Sequence, residues 1–178
     1  MIILVGMPGS GKSTAGRQVA RRLHLPLWDV DHLIEKKIGM SIKEYFAEHG
    51  EAAFRDLETA TLRELLEQGT PAVLSTGGGA VLREENRALL RKGGTVLYLR
   101  AQPDDIFRNI RHDTKRPLLQ VANPRARLHE LFQQRDPLYR ATAHYVIETG
   151  RNSVMGLANH IVMQVEMAQM AHHQEQQG

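Results

Sequence analysis

The sequence predicts an α/β fold: a five-stranded parallel sheet between two layers of helices, a three-layer sandwich. Two observations carry this. Short apolar runs rich in β-branched residues alternate with segments of helical spacing along nearly the whole chain, and such alternation builds a parallel sheet with helices on both faces. The first run, Ile2-Ile3-Leu4-Val5, passes directly into Gly6-Met7-Pro8-Gly9-Ser10-Gly11-Lys12-Ser13. That string fits G-x-x-x-x-G-K-[ST], the phosphate-binding P-loop. From Ser13 to Leu23, apolar or small residues fall at positions 15, 16, 19, 20 and 23, which is helical spacing. Strand, glycine loop, helix is the context the motif requires.

The chemistry explains the residue types in the loop. Gly6, Gly9 and Gly11 let the backbone bring its N–H groups against phosphate oxygens. The helix that starts near Lys12 adds its positive N-terminal end to the same anion. Lys12 is placed to reach the β- and γ-phosphates, and the Ser13 hydroxyl to join the coordination shell of Mg²⁺. Gly9, Ser10, Gly11, Lys12, Ser13 and Thr14 are therefore the candidate ATP ligands. A glycine turn capped by Ser10 or Ser13 is the bland alternative, and the flanking strand and helix argue against it.

The remaining elements follow in order. Leu25 to Asp31 reads as a second strand ending in two acids, and His32 to Ile38 as a helix closed by Gly39. Ser41-Ile42-Lys43-Glu44 is a capping-box signature opening a short helix through Tyr45 and Phe46. A longer helix spans about Glu51 to Gln68, with Phe54, Leu57, Leu62, Leu65 and Leu66 on its inner side. Ala72 to Thr76 is a third strand running into Gly77-Gly78-Gly79. Helical spacing at 83–91 precedes a fourth strand, Thr95 to Leu99, and a helix from Pro103 to Arg111 with proline in its first turn. From His112 to Pro124 periodicity fails, and a polar loop of that length reads as a lid. Helices at 125–134 and 137–143, a fifth strand at Tyr145 to Glu148 and a last helix from Ser153 complete the chain, whose polar end is expected to fray.

In parallel sheets, ligands bind beyond the carboxyl ends of the strands. Three strand ends carry unusual residues: the P-loop, the Asp29/Asp31 pair and the triple glycine. One acid suits a metal site and the other an acceptor hydroxyl, although Asp31 also fits a helix cap. Arg55 with Glu58 fits an ordinary i,i+3 ion pair, and Arg135-Asp136-Pro137 fits a helix end. Gly77, Gly78 and Gly79 suit either a flexible turn or a backbone that approaches a ligand closely.

Together these residues resemble the shikimate kinase family, P-loop kinases related in fold to the nucleoside monophosphate kinases. The resemblance runs from Met1 to about Ile161. It rests on the P-loop, Asp29-Val30-Asp31, Gly50-Glu51 with Phe54-Arg55 and Glu58, Thr76 to Gly79, Arg116-Pro117-Leu118-Leu119, and Arg135-Asp136-Pro137-Leu138-Tyr139. It implies transfer of the γ-phosphoryl of ATP to the 3-hydroxyl of shikimate, with Mg²⁺ as cofactor held by Ser13 and Asp29. It implies Arg55 and Arg135 on the shikimate carboxylate, Asp31 and the Gly78 backbone on the ring hydroxyls with Gly77 and Gly79 as further substrate-binding residues, and Lys12, Asp31 and Arg116 as the catalytic set. An adenine contact falls to Arg108 or Arg111, and a second to Asn152. One kinase domain is implied over 1–178, with a substrate-binding helical region at about 31–61, a lid at about 112–124 and a frayed polar tail at about 168–178.

Composition agrees and excludes other classes. The chain has 178 residues, 42% hydrophobic and 24% charged, which suits one soluble domain with a sizeable core. With no cysteine, disulfides and thiolate chemistry are excluded, and a reducing compartment fits. The net charge of +3 is modest and carried mainly by arginine, which suits small carboxylate or phosphate ligands. No basic run interleaved with aromatics marks a nucleic-acid partner. No stretch approaches membrane-spanning length and no signal-peptide pattern opens the chain, so a cytoplasmic enzyme is expected. A monomer is expected because no long exposed apolar stripe is evident. The competing readings are a kinase for gluconate or a nucleoside, and a non-enzymatic ATP-binding module. A signalling GTPase would need Asn-Lys-x-Asp, which does not occur.

Overall fold

The computed structural model describes residues 1–112 and 121–178. Five strands, β1 (Ile2–Val5), β2 (Leu27–Asp29), β3 (Val73–Ser75), β4 (Thr95–Arg100) and β5 (Tyr145–Glu148), form one parallel sheet in the order β2-β3-β1-β4-β5. Among the described residues seven helices accompany them: α1 (Lys12–Leu23), α2 (Val30–Ile38), α3 (Ile42–Glu67), α4 (Glu84–Gly93), α5 (Pro103–Ile110), α6 (Pro124–Thr142) and α7 (Val154–Gln177).

The period of two along each strand divides the core between the faces of the sheet. Ile3, Val5, Leu74, Val96 and Tyr98 point to one side and pack with Ile34, Phe54, Leu62, Leu90, Ile106 and Leu131 from α2 to α6. Ile2, Leu4, Val73, Leu97 and Leu99 point to the other, against α1 and α7 through Val19, Leu157, Ala158 and Ile161. Both faces are covered, which is why the strands read as continuous apolar runs.

Topology positions the site. From β1 the chain moves outward to β2 and returns to β3. It then crosses to β4 on the far side of β1. That reversal beside β1 leaves a crevice at the carboxyl ends of β1, β2 and β3.

Several boundaries differ from expectation, each for a local reason. The second strand stops at Asp29, whose Oδ1 accepts from the His32 N–H at 3.2 Å. Asp29, not Asp31, is thus the N-cap, and Asp31 lies in the first turn of α2 rather than at a strand end. The two helices expected before β3 are contiguous, but Gly50 breaks the helical geometry between them at φ 83°, ψ 170°. Both arms of the Ser41/Glu44 capping box are present. The two helices expected at 125–143 merge into α6 across Pro137. The tail expected to fray is instead the last part of α7, helical through Gln177, where alanine, glutamine and methionine all favour a helix. That helix also presents Met163, Met167 and Met170, all well exposed, at i, i+4, i+7 spacing. These three side chains make a short exposed apolar stripe over two turns, not the long one whose lack the monomer expectation rests on. Among the described residues, no helix is long and apolar enough to cross a membrane.

Candidate active site

The P-loop closes on itself around Lys12. Gly9 and Gly11 take φ of 80° and 92°, a left-handed backbone that only glycine adopts without strain. Gly11 caps α1 without any side-chain hydrogen bond among the described residues, so no capping side chain there competes with an anion for the first-turn N–H groups. Lys12 Nζ donates to the carbonyls of Gly6 at 2.8 Å and Met7 at 2.9 Å. Ser10 Oγ is buried with no hydrogen-bond partner among the described residues. A phosphate oxygen would satisfy both groups.

One step inward, three hard oxygens meet. Ser13 Oγ donates to Asp29 Oδ2 at 2.8 Å and lies 3.1 Å from Ser75 Oγ. The sheet register places Asp29 directly beside Ser75. Capping α2 fixes the Asp29 carboxylate through its other oxygen, so Oδ2 is left facing the P-loop helix.

The triple glycine packs against the charged groups. A Cβ on Gly77 would fall 2.7 Å from Asp31 Oδ1, and one on Gly79 would overlap the Arg55 guanidinium. A Cβ on Gly78 would strike the Pro8 ring of the P-loop. Three glycines are thus needed because three separate elements, α2, the P-loop and α3, close on one turn. Burial pushes the Asp31 carboxyl above its ordinary range, helped by the neighbouring Asp29 charge and opposed by Lys12 and Arg55.

Arg55 is held in place rather than exposed. Its guanidinium donates to Glu58 Oε1 at 2.9 Å and to Glu51 Oε1 at 3.4 Å, and it stacks 5.2 Å from the centre of the Phe54 ring. The Glu58 side chain is only 1% exposed. Its burial raises the carboxyl despite the attraction of Arg55. The bland i,i+3 surface pair is therefore excluded. Arg135 acts on the same Glu58 charge and opposes the rise of the Tyr139 hydroxyl, whose own pKa burial pushes up to about 12. That hydroxyl donates to the Gly78 carbonyl at 2.6 Å, tying α6 to the glycine turn.

A cavity of about 880 Å³ runs along this arrangement, from Thr149 and Asn152 at one end through the P-loop to Asp31 and Gly78. The family model described as "SKI: Shikimate kinase" matches residues 8–166. The chain belongs to the shikimate kinase family. It is 58% identical to the shikimate kinase of Paracidovorax citrulli over 94% of this chain and 92% of that one. The solved shikimate kinase from Acinetobacter baumannii in complex with shikimate is 42% identical, with a TM-score of 0.89 over 94% of this chain and 93% of that one. A gluconokinase from Sinorhizobium meliloti shares only the fold, at 14% identity and a TM-score of 0.57 over 99% of this chain and 96% of that one.

The expected site residues of this shikimate kinase family member separate into four groups. Gly9 to Thr14, Asp29, Asp31, Gly77, Gly78 and Asn152 line the cavity. Arg55, Gly79 and Arg135 do not line it, but adjoin it through Asp31, Glu58 and the glycine turn. Arg108 does not line it either and is ion-paired to Asp105, which does; Arg111 is also absent from its walls. Arg116, with most of the expected lid, lies outside the described residues. Ser75 and Tyr139 were missed as site residues. A serine at the end of the strand paired to Asp29, and a tyrosine one helical turn after Arg135, were the available signals.

Proposed function

We propose that this protein transfers the γ-phosphoryl group of ATP to the 3-hydroxyl of shikimate, giving 3-phosphoshikimate and ADP. The observation that carries this reading is the placement of the half-buried Asp31 carboxylate. It lies between Arg55 and Lys12, against Gly77, in the same crevice as the P-loop. An acceptor carrying both a hydroxyl and a carboxylate meets a base and an arginine together there.

The resemblance and the geometry together support the following roles. Arg55 and Arg135 bind the substrate carboxylate, where charge-assisted hydrogen bonds contribute about 1.5–3 kcal/mol each. Asp31 accepts the 3-hydroxyl hydrogen bond and takes its proton as the new O–P bond forms and the bond to the β-phosphate oxygen breaks. Its raised pKa brings it nearer the working pH, as a general base requires. Lys12 exchanges the Gly6 and Met7 carbonyls for phosphate oxygens and neutralises charge there. Ser13 and Asp29 fit Mg²⁺, a cation that takes a few protein oxygens and completes its shell with water and phosphate. When bound, Mg²⁺ offsets phosphate charge. Asn152 is a contact for the adenine end. The helical region at about 31–61 is the substrate-binding part of a single domain, and ATP and shikimate are its small-molecule partners.

The test is ADP release by the purified protein with ATP, Mg²⁺ and, in turn, shikimate, quinate, gluconate and nucleosides. Release driven by shikimate is expected. Release driven instead by gluconate or a nucleoside, or ATP binding without acceptor-dependent release, would overturn the reading. Two variants probe the halves of the site. Gly79→Ala forces the Arg55 guanidinium aside and is expected to raise KM for shikimate by an amount equivalent to roughly 1–3 kcal/mol, with KM for ATP unchanged in steady-state kinetics. Ser13→Ala is expected to raise the Mg²⁺ concentration needed for half-maximal rate by roughly 10–100-fold, without altering KM for shikimate.

A further inference from the structure

Asp136 touches neither substrate in this reading, yet its carboxylate accepts from three side chains. Tyr98 OH and Arg100 Nε donate to Oδ1 at 2.7 and 3.0 Å, and Arg140 Nε donates to Oδ2 at 3.1 Å. Burial alone would raise this carboxyl, but the three donors hold it below its ordinary range, so it is ionised while the enzyme works. We propose that Asp136 is a positioning residue for the substrate carboxylate. It fixes the turn of α6 that carries Arg135, and so fixes where Arg135 meets the ligand. This rests on Arg135 being a carboxylate ligand, as read above.

The helix does not hold that turn by itself. Pro137 lies inside α6, where it has no N–H to give the Gln133 carbonyl and its ring crowds that carbonyl. The ladder is interrupted across Arg135 and Asp136, a place where helices commonly bend. The Asp136 carboxylate replaces the lost tie with a connection to the sheet. Arg100 continues it to β5, donating to both Glu148 oxygens at 3.2 and 3.3 Å, and lies 5.0 Å from the centre of the Phe132 ring on the preceding turn of α6. Tyr98, the other donor from β4, packs its ring 4.9 Å from that of Tyr139. Tyr139, one helical turn after Arg135, in turn donates to the Gly78 carbonyl. Asp136 and Tyr139 therefore pin the Arg135 turn at two points, one on the sheet and one on the glycine turn.

A purely structural ion pair would stabilise the fold without discriminating between substrates, and that separates the two roles. Asp136→Asn keeps the shape but turns an amide donor toward guanidinium groups. Its steady-state kinetics, with those of Tyr98→Phe and Arg135→Ala, are compared on shikimate and on shikimate methyl ester, which lacks the charge Arg135 reads. Asp136→Asn is expected to raise KM for shikimate by roughly tenfold, with KM for ATP and for the ester each within about twofold of wild type. Tyr98→Phe, which removes one donor and keeps both ion pairs, is expected to shift the same way by less, and it carries the test if Asp136→Asn does not fold. Equal effects on acid and ester, or a lowered Tm with the shikimate KM unchanged, would overturn the positioning role. Arg135→Ala is expected to weaken the preference for acid over ester strongly, Arg55 retaining part of it. If that preference is unchanged, the carboxylate role of Arg135 falls and this proposal with it. If Arg135→Ala weakens it while Asp136→Asn and Tyr98→Phe do not, the positioning role alone falls.

Discussion

Asp31→Asn is expected to lower kcat by roughly 10²–10⁴-fold, the usual contribution of a positioned general base, with KM for ATP close to wild type. The amide retains the shape that packs on Gly77 and a hydrogen-bond acceptor for the substrate hydroxyl, but it takes no proton. The pH dependence supplies a second readout. Burial and the Asp29 charge hold the Asp31 carboxyl above its ordinary range, and only the ionised form acts as base. In wild type, kcat/KM for shikimate should fall as pH drops through that raised pKa, at a pH above the value of about 4 usual for aspartate. The limb assigned to Asp31 should be missing in the variant. Stopped-time ADP assays across pH measure both effects. Near-wild-type turnover in Asp31→Asn would remove the residue from the mechanism.

Arg55→Ala carries the other large effect, on binding and on stability together. Its guanidinium is the substrate-carboxylate ligand in our reading, so KM for shikimate should rise far more than KM for ATP. It is also the partner of Glu58, which is almost fully buried. Removing one member of a buried pair costs about 3–5 kcal/mol because the other charge is left uncompensated. The sign of the pH dependence follows. Burial already raises the Glu58 carboxyl with Arg55 present, and without Arg55 it rises further. The folded variant then binds more protons than the unfolded chain between the unfolded pKa of about 4.3 and the raised folded value. Stability therefore falls as pH rises through that window and is regained on acidification. Thermal melts of wild type and Arg55→Ala at mildly acidic and neutral pH should show the gap in Tm narrowing at the acidic end. A pH-independent gap would mean that Glu58 is not the group left unpaired.

The nucleotide half of the site was legible in the sequence because its signals are local. The glycine spacing, the preceding apolar run and the following helical period all lie within about two dozen residues, and the structure keeps each of them. The glycine turn was legible as a close approach, but what approaches it was not. Asp31, Pro8 and Arg55 reach Gly77, Gly78 and Gly79 from three different elements, and no local pattern encodes that meeting. Asp31 was placed at a strand end because apolar residues flank the two acids. Asp29 captures the His32 N–H and starts the helix earlier, which turns Asp31 into a first-turn residue without moving it from the crevice. Arg55 with Glu58 looked like an exposed pair, since spacing alone cannot report burial. Pro137 suggested a break between two helices, and the ties from Asp136 to Tyr98 and Arg100 span that break through contacts distant in sequence. The stripe of Met163, Met167 and Met170 was hidden because apolar residues occur on every face of α7.

The central claim is that a P-loop triphosphate and a small ring acid share one crevice, with Asp31 at the acceptor hydroxyl. Phosphorus NMR of the wild-type protein turning over ATP, Mg²⁺ and shikimate tests it most directly. The account predicts ADP and a phosphate monoester appearing in equal amounts, with the ester phosphorus coupled to the proton on carbon 3 of the ring. Inorganic phosphate appearing in place of the ester, or an ester on another hydroxyl, would contradict it.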